Sequence, residues 1–380
     1  MRQIFQGISF KPKVKVTREM LDAASLLPNG PIVLQNYWGS AIYPPTTYAV
    51  PAVALFILNH FGFDPLDTFF GGRIANAVVY VMVGALAIWL TPVGKFAFAL
   101  VLLLPMALSQ AGSFSADVQV FSFTAMICAL LAREAARGSP AILGLVAAAG
   151  LLILVATTKA PMIALVLPLA AISWRRSRLL AIVLMTTVIA AFVLWTVNFV
   201  FTDSSAARVA SAGVSSSKQF SFLLSHPFSI IDIALNTIKL MWWRYIFGII
   251  GIFGWLDTPL GHWFYYLSIL CVVIVAMATA FDGRIGHNIS FLLSTILATA
   301  LTFGALYLSW SKVGSDIVVG VQGRYFIPIL FPAILALPGI ASRFRLQSVV
   351  EPASILAVLI LWITSSTYVP LVLVNRFYLH

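Results

Sequence analysis

Charge is scarce in this chain: 9% of its 380 residues are charged and 61% are hydrophobic, against roughly a quarter charged in an ordinary soluble domain. That scarcity excludes a soluble globular fold, which has no way to hide so much apolar surface. Cysteine is nearly absent. Cys128 and Cys271 lie far apart, each inside an apolar run, which argues against a disulfide framework or a cysteine-rich metal centre. Histidines 60, 226, 262, 287 and 380 show no metal-ligand spacing such as H-E-x-x-H, so a histidine-built metal site is not expected. There is no repeat of fixed period and no low-complexity tract. Residues Met1 to Pro45 hold neither a secretory core nor a membrane span.

What the chain has instead is a series of apolar runs approaching or reaching the 17 to 25 or so residues that an α-helix needs to cross the hydrocarbon core. Breaks at glycine, proline and charge clusters place ten spans, near Arg73–Thr91, Lys95–Ala111, Asp117–Ala132, Pro140–Thr157, Ala160–Ser173, Arg178–Phe201, His262–Phe281, Asn288–Trp310, Arg324–Ala341 and Pro352–Leu373. Two further stretches suit interfacial or re-entrant helices. Thr46–Phe61 is short and proline-interrupted, and Ser229–Phe253 carries Asp232, Lys239 and Arg244. The expected fold class is therefore all-α: a polytopic integral membrane helix bundle of about ten transmembrane helices plus interfacial helices. Residues 1–72 are expected to form an external N-terminal segment with a juxtamembrane helix, and residues 73–380 the bundle.

The formal net charge of +11 would suggest nucleic acid in a soluble protein. Here the positive-inside bias explains it better, and the lipid bilayer is the expected partner. Arg133, Arg137, Arg175, Arg176, Arg178, Arg284, Arg343 and Arg345 fall on one side, read as cytoplasmic, provided Ser229–Phe253 does not fully cross. The other side receives the N-terminal segment, Gly112–Asp117, the Lys159 turn, Thr202–Pro227, Gly254–Gly261 and Ser311–Gly323. In the N-terminal segment, Lys11, Lys13, Lys15 and Arg18 lead into a short helix, Glu19 to Leu27, with Thr17 as its N-cap.

Candidate functional residues gather on that second side. Tyr43-Pro44-Pro45-Thr46 is a stiff elbow before a short helix. Asp117, after Gly112-Ser113-Phe114-Ser115-Ala116, is either a helix-end charge beside Ser113 or Ser115 as caps, or a carboxylate at the mouth of a cavity acting as base or cation ligand. Arg73, Lys159 and Arg324 stand near outer ends of spans. Each alone can snorkel to headgroups; together they would bind a phosphate or pyrophosphate. Gly254-Trp255-Leu256-Asp257-Thr258-Pro259 and Gln322-Gly323-Arg324-Tyr325 are turn-rich pieces that also read as an aromatic belt.

Over these stretches, and nearly the whole chain, the sequence resembles the bacterial membrane-protein family catalogued as domain of unknown function 2142, which is similar to the GT-C class of membrane glycosyltransferases. The Gly254–Pro259 and Gln322–Tyr325 pieces are the most specific. The resemblance implies transfer of a sugar from a polyprenyl-phosphate carrier in cell-envelope polysaccharide or glycolipid assembly, at the bacterial inner membrane. It makes Asp117 a catalytic or supporting carboxylate, with a divalent cation as an optional co-ligand. Arg73, Lys159 and Arg324 would hold the lipid-linked phosphate, and Tyr43, Tyr325 and Asp257 count with the substrate-binding residues. It also implies a preceding span and a Pro-Asp-Glu-x-x-His motif. Glu19 and Asp22 are the only acids before the elbow, so a late-assigned start, a truncated gene or an inactive member is the expectation. The rival readings are a transporter or flippase of lipid-linked saccharides and a non-catalytic assembly partner.

Overall fold

The computed structural model describes residues 8, 11, 13–25, 42–200, 213–278, 285–337 and 347–379. Within them the chain is helical apart from one two-stranded hairpin, β1 (Ile252–Phe253) and β2 (Thr258–Pro259). The helices are α1 (Arg18–Ser25), α2 (Ala49–His60), α3 (Pro65–Leu90), α4 (Lys95–Leu102), α5 (Pro105–Ala111), α6 (Asp117–Ala136), α7 (Ile142–Thr158) and α8 (Val166–Trp174). They continue as α9 (Arg178–Trp195), α10 (Ser216–Ser225), α11 (Ser229–Ile250), α12 (His262–Ala278), α13 (Ile285–Trp310), α14 (Ile327–Ala336) and α15 (Gln347–Phe377).

Five helices, α3, α6, α9, α13 and α15, are long and apolar enough to cross a bilayer, or six if the bent pair α10–α11 is one span. Four shorter apolar stretches, Ile142–Thr158, Ala160–Trp174, His262–Ala278 and Gly323–Ala336, lie between them. The protein is thus a multi-pass membrane helix bundle, and a count of ten depends on adding the shorter pieces. Two expected spans are drawn differently. Lys95–Ala111 is broken into α4 and α5, because Pro105 holds Leu104 in an extended conformation (ψ 136°) that ends the first helix. The span expected from Arg73 starts earlier, at Pro65, where Asp64 accepts hydrogen bonds from the amides of Leu66 and Asp67 as N-cap.

The bundle is organised around α6. Within its apolar window 83% of the residues are buried, against 17–28% in the other four long helices, which leave most of their apolar surface on the outside of the bundle. At one end of α6 the buried Glu134 pairs with Arg137 at 2.9 Å and accepts the Ala141 amide. Arg175 donates to the carbonyls of Ala135 and Arg137, both at 2.8 Å, and Arg176 to Ser139. This is the arginine-rich end expected from loop charge; Arg284, Arg343 and Arg345 lie outside the described residues. At the opposite end α6 begins with Asp117.

That opposite end carries the two ambiguous stretches. α10 and α11 meet at a bend of 114°. Gln219 of α10 accepts the Gly314 amide, Thr237 in the middle of α11 accepts the Val318 amide at 2.8 Å, and Gly248 near its end abuts Gly323. One connection, Ser311–Gly323, thus contacts both helices along their length. The exposed side chains Phe228, Ile231, Leu235, Ile238 and Trp242 recur at helical spacing on a face turned away from Ile233 and Thr237. Asp232 and Lys239 lie together along one edge of that stripe. The N-terminal segment is tied to the end of α15: the Val16 amide donates to Phe377 at 2.7 Å, and Lys15 Nζ donates to the carbonyls of Asn375 and Arg376. Thr17 caps α1 through the Met20 amide, as expected; Leu26 and Leu27 lie outside the described residues.

Candidate functional site

Asp117 is held in place by α3 and by its own loop. Arg73 and Asn76, one turn apart on α3, donate to the successive carbonyls of Gly112 and Ser113. Ser113 Oγ donates to the Gln110 carbonyl at 2.6 Å and accepts the Ser115 amide, and Ser115 Oγ accepts the Asp117 amide at 3.2 Å. Phe114 packs over Gly72 and against Phe69, with ring centroids 5.1 Å apart. The loop is therefore a chain of short-range hydrogen bonds that ends by presenting a carboxylate with 4% side-chain exposure.

Two of the three expected cations reach it. Lys159 Nζ lies 2.8 Å from Asp117 Oδ1, and Arg324 Nε lies 3.5 Å from Oδ2. Lys159 follows α7 in an extended conformation. Thr158, its neighbour, shares a 2.9 Å hydrogen bond with Thr47 just past the Tyr-Pro-Pro elbow. The elbow thereby sets Tyr43 5.7 Å from Lys159 Nζ, while Tyr325 closes the other side at 4.8 Å. Burial pushes the Lys159 ammonium down, but Asp117 and then Tyr43 more than offset it and hold it above its ordinary value. Arg73 does not join this pair. It sits over Phe69 and Phe70 and donates to the Gly112 carbonyl in the loop that leads to Asp117.

Arg324 links the ion cluster to a cavity of about 370 Å³, within the range of roughly 300–1,000 Å³ typical of small-ligand pockets. Arg324 lines it together with Gln110, whose Oε1 accepts from Arg324 Nη1 at 3.3 Å. The remaining wall includes Met106, Gly248, Trp255 and Gly323. Residues of the two most specific sequence motifs therefore line the same cavity. Gln110, Gly248 and Trp255 are wall residues not singled out from sequence, although Gln110 and Trp255 stand inside noted stretches. A glycine inside an ambiguous apolar helix, as Gly248 is, carries no such signal.

Asp257 stands one step behind the cavity. Its Oδ1 accepts from the Trp255 amide and Thr258 Oγ1, shaping the tight turn in which Gly254 and Leu256 both adopt positive φ (63° and 64°). Its Oδ2 pairs with Arg376 at 2.9 Å, across 119 residues of chain. Arg376 was not expected here. Burial pushes the Asp257 carboxyl up, but the hydrogen bonds from Arg376, Thr258 and Trp255 leave it below its ordinary value. Because the folded state disfavours protonation, this carboxylate's stabilisation is complete above the ordinary carboxylate pKa and lost as pH falls through the lowered value. Asp257→Asn is expected to cost about 2 kcal/mol at neutral pH, since it weakens the partner of a buried guanidinium. In melts of the detergent-solubilised protein, the gap between wild type and Asp257→Asn should hold from pH 7 to about 5 and shrink below about 4. A gap that does not change with pH would separate the effect from the carboxylate's charge.

The donor set fits an anion better than a divalent cation. Asp117 contributes one carboxylate whose two oxygens already face Lys159 and Arg324, and Asp257 is engaged by Arg376. Among the described residues no group of three or more His, Cys, Asp or Glu is placed to hold a metal ion. Two cations against one carboxylate leave the cluster with one net positive charge, and Arg324 is its member that lines the cavity.

Neither a curated protein nor a solved structure matches the chain. A family described as predicted membrane protein (DUF2142) matches residues 32–332, which include the elbow, the Asp117 loop, the Lys159 turn, the hairpin and the Arg324 motif. The chain belongs to the DUF2142 family of predicted membrane proteins.

Proposed function

We propose that this protein is a GT-C-like glycosyltransferase of the bacterial inner membrane, which takes a sugar from a polyprenyl-phosphate carrier for cell-envelope polysaccharide or glycolipid assembly. One observation carries the reading: Arg324, which shares Asp117 with Lys159, lines a cavity whose walls include the Trp255 turn and the Gln322–Arg324 motif. In the reaction the bond between the anomeric carbon and the carrier phosphate breaks, and a bond from the acceptor oxygen to that carbon forms. The acceptor's proton leaves to solvent and negative charge develops on the departing phosphate. Fixed cations in a site of low dielectric stabilise that charge. Asp117, with a cation on each oxygen, serves first to hold them, and Tyr43 and Tyr325 confine Lys159. Trp255 offers an aromatic wall for the sugar, and Asp257 fixes the turn that bears it. Described residues 42–64 act as part of an external segment that braces this end, and the bundle begins with α3 at Pro65.

The reading is tested with the full chain in liposomes containing polyprenyl-phosphate sugars and candidate acceptors. Transfer is expected, with Arg324→Ala lowering the rate on the order of 100-fold. Transfer that survives Arg324→Ala and Lys159→Gln undiminished would refute the site. Sugar-carrier movement between leaflets without transfer would favour the flippase.

A further inference from the structure

Lys159 and Arg324 are neutralised unequally. Lys159 meets Asp117 at 2.8 Å, the length of a charge-assisted hydrogen bond. Arg324 approaches the second oxygen only to 3.5 Å, and its buried Nε has no hydrogen-bond partner among the described residues. The same guanidinium lines the cavity and is steadied there by Gln110. Arg324 is thus shared between an internal carboxylate that holds it loosely and a space large enough for a ligand. Asp117 itself has little freedom to follow, since its loop is fixed by Arg73, Asn76, Ser113 and Ser115.

We propose that Asp117, held by Lys159, is the resident counter-anion of a phosphate receptor centred on Arg324, so that Asp117 and an incoming isoprenoid phosphate compete for that guanidinium. Removing two cations from water without an anion is costly, and a bound carboxylate keeps the empty site stable. The cost of that arrangement falls on affinity, because the ligand has to draw positive charge away from Asp117. Lys and Arg then supply the neutralisation for which a divalent cation is the usual alternative. The inference rests on the proposed function for the isoprenoid phosphate alone; it does not need glycosyl transfer to occur.

The test uses the purified full chain in detergent, with farnesyl phosphate, farnesol and inorganic phosphate as probes, titrated calorimetrically with EDTA present. Wild type is expected to bind farnesyl phosphate, and Asp117→Asn to bind it more tightly, on the order of tenfold, because one local negative charge is gone. Asp117→Asn should also melt lower when empty and gain more from the ligand than wild type does. Equal or weaker binding by a folded Asp117→Asn protein overturns the proposal, as does binding that requires a divalent metal. If Asp117→Asn is recovered folded only with farnesyl phosphate or phosphate present, the competition is supported; if neither rescues it, the proposal fails. Inorganic phosphate binding as tightly as farnesyl phosphate would assign the site to free phosphate, and farnesol binding as tightly would show an apolar-chain site and overturn the proposal. Phosphate binding without sugar transfer would remove the glycosyltransferase reading and leave this one standing.

Discussion

Gly323→Ala is expected to destabilise the protein by about 3 kcal/mol or more and to abolish ligand binding at the Arg324 cavity. A Cβ on Gly323 would overlap backbone atoms of Tyr245, Gly248 and Ile249, so relief requires moving helix α11 as a unit rather than turning a side chain. The contact also sets where Arg324 begins. Displacing α11 therefore shifts the cavity wall at Gly248 and the guanidinium together. Gly248→Ala is the milder partner, its added carbon meeting Gly323 at 3.0 Å. Gly150, inside α7 with nothing within 4 Å of an added Cβ, is the control. Gly150→Ala should be neutral or slightly stabilising, by helix propensity. Melting the three variants in one detergent checks the order, and a Gly323→Ala protein as stable as wild type would show that the two segments are not in contact.

The second large effect concerns Lys159. Lys159→Met should cost about 3 kcal/mol, because it leaves the buried Asp117 with only the longer contact to Arg324, and breaking one partner of a buried ion pair typically costs 3–5 kcal/mol. Lys159 keeps 23% of its side chain exposed, which places the effect at the lower end. The double variant Asp117→Asn with Lys159→Met should recover most of the loss, since it removes the stranded charge. Equilibrium unfolding of the two single variants and the double closes the thermodynamic cycle. Additive losses would mean that the two residues do not share an interaction.

The architecture was legible in the sequence to the extent that apolar run length fixes it. Composition and loop arginines identified a membrane bundle and its arginine-rich end, and charges inside Ser229–Phe253 marked α11 as something other than a clean span. The break at Pro105 was visible as a proline but not as a division, because its effect depends on Leu104 adopting an extended backbone. The site was legible as residue types and not as partners. Spacing left open whether Arg73, Lys159 and Arg324 meet; Lys159 and Arg324 share Asp117, whereas Arg73, equally cationic and equally placed, spends its hydrogen bond on the Gly112 carbonyl. Asp257 was grouped with the substrate residues, yet its oxygens are taken up by its own turn and by Arg376, 119 positions later. No local pattern announces a pairing at that separation. It emerges only when the hairpin and the end of α15 are packed together.

α6 has acids near both ends, Asp117 gripped by Lys159 and Arg324, and Glu134 gripped by Arg137. The two lie 17 residues apart, about 25 Å of helix at 1.5 Å per residue, close to the depth of the hydrocarbon core. The Glu134–Arg137 pair moves with the helix, but Arg175 donates from outside it to the Ala135 and Arg137 carbonyls, so a rod held there and by Lys159 and Arg324 at Asp117 resists sliding along its axis. The cavity wall contributed by α11 and the Trp255 hairpin is thus set against a fixed datum, the central helix.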